Sequence, residues 1–166
     1  MSPLLRSGLI AAIAALVLDQ ASKLWLLNVY ELGRRGSVAV TPFFDLVLAW
    51  NTGISYGWFQ DTGPVGQAVL LAVKALAVIV LGVWMAKSGT RLAVVGLGLI
   101  IGGAIGNAID RLAYGAVVDF ALFHVQIGGK TYNWYVFNLA DVAIVAGVAA
   151  LLYDSLVTPG AAKRPR

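Results

Sequence analysis

Gly98-Leu99-Ile100-Ile101-Gly102-Gly103-Ala104-Ile105-Gly106-Asn107-Ala108-Ile109-Asp110-Arg111 is the stretch whose reading decides the fold. Gly98, Gly102 and Gly106 recur every four residues, so on a helix they line one face and let a second backbone approach closely. Around them the segment is almost wholly aliphatic until Asn107, Asp110 and Arg111, which sit three and four residues apart and share one side of the helix end. An apolar rod with a small-residue seam and a polar tip is a membrane helix that packs in the bilayer and works at its rim.

Three further apolar segments match it. Helices are predicted at about 7–29, 66–86, 92–112 and 138–156, each near the roughly 20 residues a span requires. The first opens with Gly8-Leu9-Ile10-Ala11-Ala12-Ile13. It reads as a retained helix rather than a cleaved leader, because Asp19-Gln20-Ala21-Ser22-Lys23 is a poor cleavage region. Composition agrees: 60% of the residues are hydrophobic, 12% are charged, and the mean hydropathy is +0.83. The expected fold is a mainly α membrane protein with four transmembrane helices, forming one domain over 1–158 and a basic cytoplasmic tail at 159–166. Four spans put both termini on one side. Arg6, Lys87, Arg91, Lys163, Arg164 and Arg166 favour the cytoplasm for that side, against Arg34, Arg35, Arg111 and Lys130 on the other.

The long connections, about 30–65 and 113–137, then lie outside. Val38, Val40, Leu46 and Leu48 alternate around Thr41-Pro42, and Val117 to Ile127 carries β-type residues before Gly128-Gly129. A small strand-containing periplasmic cap is expected, with Trp50, Trp58, Trp134 and Tyr135 near the headgroups. The net charge of +4 does not indicate nucleic acid, because the basic residues are scattered or placed at segment ends rather than in a stripe. The chain has no cysteine, which removes disulfides, thiolate metal sites and cysteine nucleophiles, and its lone histidine, His124, leaves no His-rich metal cluster or Ser-His-Asp triad. His124 reads as an ordinary loop residue.

Two acids remain to be explained, Asp119 in Val117-Val118-Asp119-Phe120 and Asp141 in Phe137-Asn138-Leu139-Ala140-Asp141. A carboxylate near hydrocarbon costs several kcal/mol unless protonated, paired or facing water, so both are functional candidates. On the first helix Asp19 and Lys23 are one turn apart, as in an ion pair that holds the helix in register. Lys74, in the middle of the second helix, must face the bundle or snorkel. Three other functions compete. A proton- or ion-coupled transporter would cluster its charges near the midplane, whereas most fall at outer helix ends. A Ser-Lys peptidase through Ser22-Lys23 or Ser55 lacks a base at a convincing distance. A non-catalytic scaffold would tolerate loss of either acid.

The ordered segments Asp19-Gln20-Ala21-Ser22-Lys23, Asn51-Thr52-Gly53, Gly102 to Arg111, Val117-Val118-Asp119-Phe120 and Phe137-Asn138-Leu139-Ala140-Asp141 resemble the successive signatures of bacterial lipoprotein signal peptidase, or signal peptidase II. The likeness covers nearly the whole chain. It departs where the family often continues Asn-x-Gly with Ala and, two residues later, Phe; Ile54 and Tyr56 stand there. The resemblance implies a membrane aspartic endopeptidase of the bacterial inner membrane. Such an enzyme cuts diacylglyceryl-modified prolipoproteins just before the lipidated cysteine and uses no metal or cofactor. Asp119 and Asp141 would be the catalytic pair. Repulsion and low dielectric raise one pKa of such a pair, giving one base and one acid. The helix dipole makes Asp141 the better base. By the same resemblance Asn51 and Gly53 shape a loop over the cleft. Asn107, Asp110, Arg111, Asn138 and Ala140 support the pair, and Arg111 has lipid phosphate as an alternative partner. Expected partners are the prolipoprotein substrates and membrane phospholipid, with the protein itself a monomer.

Overall fold

The computed structural model describes residues 1–53 and 63–157. Ile54, Ser55, Tyr56 and Trp58, named above, and the tail 159–166 lie outside the described residues. Four long helices, α1 (Pro3–Asn28), α3 (Gly63–Lys87), α4 (Arg91–Tyr114) and α5 (Leu139–Val157), are joined by a short α2 (Leu32–Arg35) and the strands β1 (Val38–Thr41), β2 (Phe44–Asn51), β3 (Val117–Ile127) and β4 (Lys130–Asn133). By length and composition α1, α4 and α5 are apolar enough to cross a membrane.

Helix ends follow local chemistry. α1 begins at Pro3 rather than near Ser7, because the Ser2 hydroxyl accepts from the Leu5 N–H at 3.2 Å and proline is tolerated in a first turn. Thr90 caps α4 in the same way, accepting from Ala93 at 3.1 Å. α4 stops at Gly115, whose φ of 72° favours glycine and whose N–H donates to the Arg111 carbonyl.

α4 is the central helix, with glycines on two faces. A methyl group at Gly98 or Gly102 would strike the carbonyl oxygens of Gly8 and Ala12 on α1, and one at Gly106 would meet the Asp19 carboxylate. On the other side, a methyl at Gly103 would lie 2.5 Å from the Ala140 carbonyl oxygen of α5, and one at Gly96 2.9 Å from that of Gly147. The seam predicted along Gly98, Gly102 and Gly106 is therefore the α1 contact; the α5 contact uses glycines outside that register. Ala12, Met85, Val94, Leu97 and Ile101 form the buried core between helices. Large aliphatics such as Ile13, Val73, Ile79 and Val145 are 60–65% exposed, an exterior suited to hydrocarbon.

The two long connections build a four-stranded antiparallel sheet in the order β1-β2-β3-β4, the strand content expected of them. β2 bulges opposite β3, with Leu46 paired to Ala121 and Ala49 to Asp119. Gly128 and Gly129, at φ of 60° and 77°, make the two-residue turn into β4. Leu26 and Leu32 cluster with Phe120 and Ala121, seating the sheet on the C-terminal end of α1.

Candidate active site

Seven polar side chains are buried among the described residues, and all belong to one cluster: Asp19, Lys23, Asn107, Asp110, Arg111, Asp119 and Asn138. Three helices and the sheet meet there. α1 supplies Asp19 and Lys23, α4 supplies Asn107, Asp110 and Arg111, β3 supplies Asp119, and the start of α5 supplies Asp141.

The α5 start is a reciprocal cap. The Asp141 N–H donates to the Asn138 side-chain oxygen at 3.0 Å, and the Asn138 N–H donates to Asp141 Oδ2 at 3.2 Å. Asn138 spends its amide nitrogen elsewhere, donating to Asp119 Oδ1 at 2.7 Å. Asn138 thus touches both acids, one with its side chain and one with its backbone. Each acid has a second amide donor: Asn51 Nδ2 reaches Asp119 Oδ2 at 3.1 Å, and Asn107 Nδ2 reaches Asp141 Oδ1 at 3.0 Å.

Lys23 sets which way these amides point. Its ammonium can only donate, and it does so to Asp19 at 2.8 Å, to Asp110 at 2.7 Å and to Asn107 Oδ1 at 3.1 Å. Asn107 Oδ1 also accepts from Asn138 Nδ2 at 3.0 Å, which leaves the Asn107 NH₂ group free to face Asp141. The predicted Asp19–Lys23 pair is present, and it binds helices together as well as setting register. Asp19 Oδ1 accepts the Ala140 N–H of α5 at 2.9 Å, and Asp110 Oδ2 accepts the Val118 N–H of β3 at 3.1 Å.

Arg111 is buried rather than at a lipid surface. It donates to the Gly53 carbonyl at 2.8 Å and to the Asn107 carbonyl at 3.2 Å. Gly53 in turn donates to Asn51 Oδ1 at 3.2 Å, so one cation holds the Asn51–Gly53 turn beside Asp119. Every residue singled out from the sequence as a site candidate therefore falls in one connected network. Gln20 was not singled out, yet it donates to Asp110 at 2.9 Å and to Asp19 at 3.2 Å. Only its place inside the Asp19–Lys23 segment hinted at that. Lys74 is half-buried on α3, within electrostatic reach of Arg111, Asp141, Lys23 and Asp110. His124 lies in β3 rather than in a loop, with Nε2 3.2 Å from Asp45 of β2.

The two acids differ in setting. Asp119 is 3% exposed, and burial, with Asp141 repulsion added, pushes its carboxyl up to about 6 against the opposing Asn51 and Asn138 hydrogen bonds and Lys23. Asp141 is only partly buried and sits in the first turn of α5. No cluster able to hold a metal occurs among the described residues.

A family model described as signal peptidase (SPase) II matches residues 11–157. The lipoprotein signal peptidase of Nitrobacter hamburgensis is 74% identical over 99% of this chain and 100% of its own length, and that of Rhodopseudomonas palustris (strain ATCC BAA-98 / CGA009) is 71% identical over the same shares. A bacterial membrane enzyme solved by the in meso method at 2.3 Å superposes with a TM-score of 0.75 at 25% identity, covering 96% of this chain and 92% of that one. The chain, its five motif segments drawn into one buried network, belongs to the signal peptidase II family.

Proposed function

We propose that this protein is a membrane aspartic endopeptidase that removes the signal peptide from diacylglyceryl-modified prolipoproteins, cutting before the lipidated cysteine. The family and its lipoprotein signal peptidase relatives support the substrate class. The observation that carries the mechanism is Asn138, whose side chain binds Asp119 while its backbone binds Asp141. Two carboxyl groups tied to one residue can divide the roles of acid and base. Asp141, the less buried of the two, takes a proton from water as the oxygen attacks the scissile carbonyl carbon. Asp119, which holds its proton to higher pH, gives that proton to the carbonyl oxygen. The gem-diol then collapses: Asp141 returns its proton to the leaving nitrogen, Asp119 recovers one from a hydroxyl, and the C–N bond breaks.

The fold suits a substrate held in lipid. In this reading all four long helices span the inner membrane, both termini are cytoplasmic, and the acids sit near the outer face where a signal peptide would emerge. The protein acts as a monomer beside phospholipid, and the Asn51–Gly53 turn held by Arg111 closes over the cleft. The deciding experiment is a gel-shift assay of prolipoprotein cleavage in proteoliposomes by wild type, Asp119→Asn and Asp141→Asn. Each folded variant is expected to lose on the order of 10²–10⁴-fold in rate, the usual worth of an acid or base. Near-normal cleavage by either one would refute the dyad.

A further inference from the structure

The β3–β4 hairpin projects beyond the rest of the sheet. β2 pairs with β3 only as far as Phe44–Phe123, the His124 N–H still donates to the Phe43 carbonyl of the β1–β2 turn, and from Val125 onward the neighbour of β3 among the described residues is β4. Antiparallel partners share a face, so the pairs Val125–Tyr132 and Ile127–Lys130 place their side chains together, and Phe123 and Trp134 continue that row. Phe123, Val125, Ile127, Tyr132 and Trp134 are each 45–62% exposed. The opposite face carries His124, Gln126, Thr131 and Asn133. A two-stranded ribbon is marginal in water by itself, and a continuous exposed apolar face on one calls for a partner.

The direction of that face selects the partner. β3 has no bulge, so residues of one parity stay on one side along it. Asp119 and Ala121 share the parity of Phe123, Val125 and Ile127. Asp119 bonds Asn138 in the network, and the cross-strand partners of this parity, Leu46 opposite Ala121 and Phe44 opposite Phe123, pack against the cluster that holds Leu26 and Leu32. The apolar side of the hairpin is thus the outward continuation of the face that covers the helix ends, carried past them to where hydrocarbon would surround the bundle. Tyr132 and Trp134 suit the headgroup level, and Lys130 at the tip can reach lipid phosphate.

We infer that the β3–β4 hairpin is an amphipathic anchor lying in the outer leaflet, its Val125–Ile127–Tyr132–Trp134 face in lipid and its Gln126–Thr131–Asn133 face in water. The inference rests on the spanning arrangement proposed above. It is tested without reference to cleavage, because a chain with no cysteine can be labelled at one position at a time. Val125→Cys, Ile127→Cys, Tyr132→Cys, Gln126→Cys and Thr131→Cys, with Val145→Cys on α5 as a bilayer reference, are each spin-labelled in proteoliposomes of phosphatidylethanolamine and phosphatidylglycerol. Collision with oxygen and with a water-soluble nickel chelate is then compared. The expected pattern has period two: the oxygen-to-nickel ratio at 125, 127 and 132 is severalfold higher than at 126 and 131 and approaches that at 145. Nickel access at all five hairpin positions with lipid-like values at 145 would overturn the anchor alone. Immobile labels shielded from both reagents on the apolar face would overturn it in favour of a protein partner or substrate. Nickel access at 145 as well would overturn the spanning arrangement and the anchor together.

Discussion

At the scale of the residue, the role proposed for Asp119 and the stability of the fold pull in opposite directions. Its folded carboxyl is held up to about 6 by burial, above the value of an unfolded chain, so the folded state gains from this group at low pH and loses that gain as pH rises through about 6. At neutral pH the difference amounts to about 3 kcal/mol. Asp119→Asn is therefore expected to raise thermal stability at pH 7, and much less at pH 4, while cleavage is lost; equal stability changes at the two pH values would contradict the burial argument. Lys23 should behave oppositely. Lys23→Met leaves Asp19 and Asp110 facing each other without their cation and is expected to cost about 3–5 kcal/mol in thermal unfolding in detergent. The site residues were legible as residue types in short motifs, because intramembrane charge is rare enough to stand out. Their wiring was not. Asn138 touches both acids only because β3 returns along the start of α5, and Gln20 is an ordinary polar residue until α4 packs against it.

At the scale of the element, α4 is fixed by what its glycines exclude. Gly98→Ala drives a methyl into the Gly8 carbonyl and should destabilise by about 1–3 kcal/mol. Gly82→Ala on α3 meets nothing within 4 Å and should be neutral or stabilising by up to about 1 kcal/mol through helix propensity. Thermal unfolding of the two variants in one detergent checks the contrast. The four-residue glycine repeat revealed the α1 seam from sequence, but Gly96 and Gly103 fall outside it, since a helix with two partners needs two seams and period analysis finds the more regular one. The strands were readable for a different reason: the alternation of Val38, Val40, Leu46 and Leu48, the β-type residues of Val117 to Ile127 and the Gly128-Gly129 turn are local signals, whereas the β2 bulge opposite Asp119 arises only from pairing.

At the scale of the whole molecule, the proposed four-span arrangement places the sheet and the α3–α4 turn on opposite sides of the bilayer. A membrane-impermeant maleimide added to intact spheroplasts should label Ser37→Cys and spare Gly89→Cys until the membrane is opened; the reverse pattern would invert the topology. Hydropathy alone made the helices legible, while the meeting of α1, α4, α5 and β3 around a polar centre had no counterpart in any single segment. The distribution of charge also bears on biosynthetic insertion. Asp19 and Lys23 bond within α1, so in the proposed arrangement that helix enters the bilayer with its acid and its base already paired. The contact that joins Lys23 to Asp110 follows only when the helices meet. Assembly thus adds a distant partner to the local one in α1, whereas Lys74 of α3 and Asp141 of α5 have no opposite charge within their own helices and meet one only in the folded bundle.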